Sequence, residues 1–568
     1  MRLTRGVLGW LPALTLLVML GPVCAGVLGT LMASLGHLPA AGLYGPDLGA
    51  VTAMAAWPGL PRAMWLSLSV GICTTLSALL IVALLMAGWS GSRPFRLIQR
   101  LLSPILSVPH AAAAFGLAFL VAPSGWLVRL VSPELTGWTR PPDLLILQDP
   151  WGVALMAGLL VKEVPFLLLM MLAALSQADA ERRMLVARTL GYGRIAGWLL
   201  TVFPSVYAQM RLPVYVVLAY AMSVVDVALI LGPTTPATLS VQIVRWMADP
   251  ELAQRLTASA AAVLQALLVL AALAFWRAGE MLVRRIGTRQ VFSGRRYPSE
   301  RITRAAVLAL GLVSAGLVLC GLAVLALWSV AGFWGFPDAL PQSLTLSTWM
   351  RHAPAASQAT AETALIAATA TLIAIALTIG CLEAEQRQKR LLTRRGLLLL
   401  YLPLLVPQTA FLPGLQTLLL SFGVDTGRVP VIFAHLVFVL PYVFLSLSDP
   451  YRAWDGRLAT IGAALGATPN RVFWRLRLPM LLRPVLTAMA VGFAVSVGQY
   501  LPTLLIGGGR TATLTTEALA LASGGDRAAI GVFALLQTAA ALLPFALALA
   551  IPAIVWRNRR SLAHVQGA

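Results

Sequence analysis

The sequence predicts an all-α polytopic membrane protein of about twelve transmembrane helices, built as two tandem six-helix repeats. Three observations carry that expectation. Hydrophobic residues make up 59% of the 568, charged residues only 11%, and the mean hydropathy of +0.84 is far above that of a water-soluble domain. Apolar stretches of roughly 20 residues, the length that crosses a bilayer, recur twelve times. The order of the punctuating signals between them is then repeated, with several matched positions 275 residues apart.

The first six spans are expected near 8–34, 64–88, 101–122, 151–176, 207–231 and 256–276. The opening MRLTR and the apolar run to VCAG have the shape of a cleaved leader, but the run continues to Leu35 and is read as a first span. In the third span VPHAAAAFGL places Pro109 and Gly116 seven apart. A loop near 124–150, containing GWLVRLVSPELTGW, reads as an interfacial segment with its tryptophans at headgroup level. The second set is expected near 305–334, 361–382, 397–420, 430–448, 481–506 and 529–556, and VPQTAFLPGL again spaces a proline and a glycine, Pro407 and Gly414, by seven. Residues 1–276 and 305–568 are thus the two halves, joined by a basic linker, 277–304.

Of the 42 lysines and arginines, 30 fall in segments on the side holding the N-terminus and 9 on the opposite side. Basic loops stay in the cytoplasm, so both termini are expected there. The net charge of +21 is topology and not a nucleic-acid footprint, because the cations lie in short runs between spans. The linker, with eight arginines, reads as a solvated cytoplasmic segment. Cys24, Cys73, Cys320 and Cys381 have no paired spacing and read as packing residues; Trp10, Trp151, Trp334 and Trp556 read as interfacial anchors.

Between the fourth and fifth spans of each half lies the same cytoplasmic device. VARTLGYGRIAGWLLTVFP sets Gly191 thirteen residues before Pro204, and GAALGATPNRVFWRLRLP sets Gly466 thirteen before Pro479. Glycine permits a sharp turn and proline suits the start of the next helix, so each copy reads as a short helix lying across the membrane face. In this frame the sequence resembles the permease subunits of binding-protein-dependent ABC importers. Their loop reads EAA, three residues, Gly, nine residues, Ile, any residue, Leu, Pro. Ala187, Gly191, Phe203 and Pro204 fit the first copy, and Gly466, Leu478 and Pro479 the second. The glutamate is missing twice, replaced by Leu185 and Thr460, while Val186 and Ile461 stand for the first alanine and Gly462 for the second. VPFLLL at Pro165, LPYVFL at Pro441, SVVDVALILG, SVGQYLPTLLIGG and the ATL triplets at Ala237 and Ala512 extend the likeness. Among fused permeases it is most similar to the thiamine, ferric-iron and polyamine group, and SVPHAAAAFGLAFLVAPSGWL to its YnjC-type branch.

The resemblance implies a type I importer fold in a bacterial inner membrane and a solute handed over by an external binding protein. It also implies coupling loops at about 180–204 and 455–479, docked on two copies of a separate ATPase that uses the ATP. Independently, Lys162 and Lys389 are the only lysines, and neither follows a glycine-rich phosphate loop, so no ATPase activity and no bound cofactor are expected of this chain. Lys162 and Glu163 interrupt the fourth span, and ionisable groups at that depth suggest a function; Asp226 and Gln499 hold comparable places in the fifth spans. These four are the candidate translocation path, against a reading in which Lys162 snorkels or pairs and the others bond between helices. His110 and His435 read as packed, hydrogen-bonded imidazoles and not as metal ligands. The alternative is an ion-coupled transporter of two six-span bundles, driven through Lys162, Glu163 or Asp226; it leaves the two glycine-to-proline spacings unexplained. No enzyme constellation is present.

Overall fold

A computed structural model describes residues 2–39, 42–296, 300–388 and 394–557. Lys389 and linker residues 297–299 lie outside them. Apart from two isolated bridges, the regular structure of the described residues is helical. The first half runs α1 (Arg2–Ser34), α2 (Leu60–Trp89), α3 (Arg93–Ser107), α4 (His110–Val121), α5 (Val153–Leu175), α6 (Ala180–Thr189), α7 (Arg194–Thr201), α8 (Phe203–Ser223), α9 (Asp226–Leu231) and α10 (Leu252–Phe292). The second half repeats the order as α11 (Arg301–Ser329), α12 (Ser347–Gln388), α13 (Arg394–Leu405), α14 (Gln408–Ser421), α15 (Arg428–Arg452), α16 (Arg457–Ala464), the segment Pro469–Met480, α17 (Leu482–Val497), α18 (Leu501–Gly507) and α19 (Arg527–Val555). Among the described residues nine helices are long and apolar enough to span a membrane, or up to twelve if each bent pair counts once.

Several expected spans are broken, at matched places. The third is split before a proline in each half, between Ser107 and His110 and between Leu405 and Gln408, the latter with a bend of 93°. The residue before a proline is driven from the helical region, and the proline has no amide to donate. The fifth is split at Val224 and Val225 and again at Gly498 to Tyr500. Irregular backbone survives at membrane depth only where protein or a wet cavity surrounds it, so these breaks face inward.

The first span of each half packs against the third span of the other. Gly116 on α4 meets Gly321 on α11 so closely that a Cβ at Gly116 would lie 2.8 Å from the Gly321 carbonyl carbon. Symmetrically, a Cβ at Gly29 on α1 would lie 2.7 Å from the carbonyl oxygen of Gly414, whose amide donates to Thr30 Oγ1 at 3.0 Å. Small residues let helix backbones approach in the absence of a hydrophobic driving force. The proline-glycine motif of the third spans therefore does two jobs, a break and a crossing.

Some expectations change. The linker is largely exposed, as expected, but it is mostly helical: α10 continues through it to Phe292, and beyond the helix Glu300 bonds to Ile195 and Ala196 of the first half. Cys24, Cys73 and Cys320 lie on the outer surface of the bundle and only Cys381 is buried, so three of the four are not packing residues. Trp334 is no interfacial anchor. It is buried against Trp328, with ring centroids 4.3 Å apart, and Arg129 lies over both rings. The loop near 124–150 supplies that arginine, which donates to the Ser124, Gly335 and Asp338 carbonyls, while Trp126 donates to the Ala339 carbonyl at 3.0 Å. This part of the loop is a clasp between the halves, because a guanidinium has enough donors to satisfy several carbonyls at once.

Candidate functional site

Two loops and the bundle interior hold the candidate residues. In the first loop α6 ends on Gly191, at φ +83°, with Tyr192 N–H donating to the Ala187 carbonyl at 3.1 Å. The second repeats this: α16 ends on Gly466, at φ +78°, and Ala467 N–H donates to the Gly462 carbonyl at 2.9 Å. Left-handed backbone at the residue after a helix is the place for glycine. The turn folds each short helix back against the next helical segment of its loop. Ala187 is buried, and a Cβ on Gly197 of α7 would lie 3.1 Å from its methyl; Gly462, its equivalent, is buried with Val472 as close. The second alanine position of the motif is small because two helices cross there. Phe203 stacks between Trp198 and Tyr207, at 5.8 and 5.4 Å. Pro204 lies at the start of α8 and Pro479 in Leu478–Met480, next to bends of 64° and 71°.

With the small face buried, the opposite face points outward. Val186 and Leu190 are 53% and 52% exposed, and their equivalents Ile461 and Leu465 are 56% and 83% exposed. Each pair is four residues apart, hence on one side of its helix. Sequence reasoning read Val186 and Ile461 only as departures from the motif. Their apolar character at a turn-fixed helix was the signal.

The two loops are braced differently. The first is held by the linker: Glu300 accepts from Ile195 and Ala196 N–H, both at 2.8 Å, capping α7, and Gly193 N–H donates to the Arg296 carbonyl at 3.0 Å. Arg194 adds bonds to the Ala87 and Ser90 carbonyls at the end of α2. The second is held by buried charge. Glu383 on α12 accepts from Arg477, from Arg387 at 2.6 Å and from Tyr451 at 2.5 Å, and Arg477 lies over Trp454 at 4.3 Å. Glu385 takes Arg452 bidentately at 3.0 Å.

In the bundle interior the four path candidates separate. Lys162 is 4% exposed and its Nζ donates to the carbonyls of Ile105, Leu106 and Val108, at 2.8, 3.1 and 2.5 Å. It closes the break in the third span, where helix-end carbonyls lack partners. Glu163, next along the chain, is turned elsewhere, with His110 Nε2 at 4.0 Å. Asp226 opens α9 and is buried; Gln499 lies in the matching break and accepts from Gln408 at 3.4 Å. His110, Tyr220, Gln408, Tyr442, Gln499 and Tyr500 are half-buried, and for the first four both chain neighbours are buried. His110 meets Tyr220 with ring centroids 5.1 Å apart. These half-buried polar groups lie at or beside the broken spans of the two halves. His110 is therefore not packed as expected, whereas His435 is, bonded to Ser496 and Thr503 at 2.8 and 2.9 Å. No group of metal-ligating residues occurs among the described residues.

Residues 373–555 match the family of the binding-protein-dependent transport system inner membrane component. Over 507 residues the chain is 34% identical to the inner membrane ABC transporter permease protein YnjC of Escherichia coli, covering 87% of this chain and 89% of that protein. The chain belongs to the binding-protein-dependent ABC transporter permeases. This permease is also 28% identical to the molybdenum transport system permease protein ModB of Mycobacterium tuberculosis, over 34% of its own length and 81% of ModB. The match to the putrescine transport system permease protein PotI of Escherichia coli is 28% over 20% of this chain and 42% of PotI. It is thus a multi-pass inner-membrane transport subunit, from a family of transporters and not of enzymes, whose members work with an ATPase and a binding protein.

Proposed function

We propose that this permease carries a small solute, delivered by an external binding protein, along a path between its two halves, 1–276 and 305–568. Two copies of a separate ATPase drive it from the cytoplasmic side, one docked on each loop. The observation that carries this reading is the matched pair of loop helices, each turned by a left-handed glycine so that its small residue is buried and an apolar pair faces outward. Exposed apolar pairs on a fixed short helix suit insertion into a groove of a partner. Ala187, Gly191, Phe203 and Pro204 shape one dock; Gly466, Leu478 and Pro479 shape the other. ATP is consumed by the partner, and the basic loop asymmetry supports cytoplasmic termini. The ion-coupled alternative has less support, since Lys162 spends its donors on three carbonyls.

The test is capture of the partner ATPase by the purified permease. Wild type is expected to retain two ATPase copies, Leu190→Asp one, Leu465→Asp one, and the double variant none. Both leucines are exposed, so the variants are expected to fold. Full retention by the double variant would sink the docking assignment.

A further inference from the structure

We propose that the cytoplasmic end of α10 is a binding site for anionic phospholipid, and that bound lipid steadies the first loop through the linker. Past the sixth span α10 continues from Met281 to Phe292, and nothing in the fold covers it: Leu282, Ile286 and Phe292 are 57%, 53% and 85% exposed. Between Met281 and Arg296 stand five arginines, Arg284, Arg285, Arg289, Arg295 and Arg296, and no acidic residue. Arg284, Arg285 and Arg289 form no ion pair with the described residues. Such a mixture of apolar and basic side chains suits the boundary between acyl chains and headgroups, where leucine and isoleucine meet the chains and guanidinium groups reach the phosphates.

Depth selects lipid over a soluble partner. Glu280, one residue before this stretch, is turned to α8: it accepts from Tyr207 and Tyr215 at 2.8 and 3.0 Å and pairs with Arg211 at 3.0 Å, while Trp276 donates to Tyr207 at 2.9 Å. Tyrosine and tryptophan with charged neighbours belong at the membrane–water interface. Arg211 lies eight residues into α8, about 12 Å from Phe203, and the twelve residues from Glu280 to Phe292 cover about 18 Å. Consecutive spans run antiparallel, so Phe292 ends only about 6 Å beyond the level of Phe203, still within the headgroup layer. At about 100° per residue, Leu282, Arg285, Ile286 and Arg289 fall on the side of α10 opposite Glu280, away from α8. That side meets the bilayer first.

The chain beyond the helix ties this surface to the first loop. Gly193 N–H donates to the Arg296 carbonyl at 3.0 Å, a Cβ on Gly191 would lie 3.3 Å from an Arg296 guanidinium nitrogen, and Glu300 caps α7 through Ile195 and Ala196. Holding Phe292 at the headgroups therefore shortens the free chain that carries these braces. The second loop, braced by Glu383 and Glu385, has no such tether among the described residues.

The test places the full chain in nanodiscs of phosphatidylcholine alone or of phosphatidylcholine with phosphatidylglycerol, first without and then with the partner ATPase, and follows amide exchange. Without ATPase, phosphatidylglycerol is expected to slow exchange across 281–296 and 191–198 by about fivefold or more, to leave 457–480 unchanged, and to lose its effect at high salt. Arg284→Gln/Arg285→Gln/Arg289→Gln should abolish the slowing, whereas Arg93→Gln/Arg100→Gln on α3 should keep it. All five side chains are exposed, so both variants are expected to fold. Equal exchange in the two lipids, slowing that survives the triple variant, or slowing lost equally in Arg93→Gln/Arg100→Gln would each overturn the site. Slowing confined to 281–296 would overturn the relay to the loop. Protection of 281–296 that appears only with the ATPase, and equally in both lipids, would assign the surface to that protein and sink the lipid assignment.

Discussion

Removing the Glu383 carboxylate is expected to loosen the second loop, 457–480, alone. Glu383 and Arg477 are both buried, and Arg477 sits one residue before Leu478 and Pro479. In Glu383→Ala the guanidinium stays in place with its counter-ion gone, a loss of about 3–5 kcal/mol for a broken buried pair. The stack of Arg477 over Trp454 remains, worth about 2 kcal/mol at a desolvated site, but it is present in both forms and cancels. Arg387 is half-buried and turns to water. The loss falls on local opening of the loop, so amide exchange across 457–480 should accelerate by roughly 150- to 5,000-fold, while 180–204 is unchanged. The double variant Glu383→Ala/Arg477→Met should recover most of the protection, since replacing a buried pair by apolar groups is close to neutral. Acceleration below tenfold, or a double variant no better than the single, would refute the view that buried charge holds this loop.

Glu300→Ala should act on the other loop: losing the cap on Ile195 and Ala196 costs about 1 kcal/mol, read as roughly fivefold faster exchange near 191–198 with no change near 466. Gly116→Val should prevent the halves from packing, because the Gly321 backbone occupies the space, and a size-exclusion profile of the solubilised chain should shift to aggregate. Lys162→Met should leave three carbonyls at the third span's break without their charged donor, a loss of about 1.5–3 kcal/mol per bond at most, seen as a lower thermal midpoint. Leu190→Asp and Leu465→Asp should each remove one ATPase copy.

The spans were legible because hydropathy is a property of the chain, and the turns of the two loops because left-handed backbone there leaves glycine at a set distance from proline. The roles of Lys162 and Trp334 were not legible. Lys162 looks functional to any rule about depth, and only the break between α3 and α4, a tertiary feature, reveals the carbonyls it satisfies. Trp334 has the position of an interfacial anchor, but the arginine that covers it comes from the other half. Val186 and Ile461 were visible only as departures from a motif, and their exposure is a tertiary fact that the pattern alone does not carry.

The crossed first spans set a schedule for biogenesis. Thr30 of α1 and Gly414 of α14 are 384 residues apart in the chain, and at about 5–20 residues per second α1 waits roughly 20–80 s after synthesis before its partner exists. Throughout that interval its glycine-lined face is covered only by lipid or by the insertion machinery. Neither half is complete until the ribosome has nearly finished. Joining both in one polypeptide turns the search for the second half from an encounter between separate molecules into a tethered one, at an effective concentration fixed by the linker and independent of expression level.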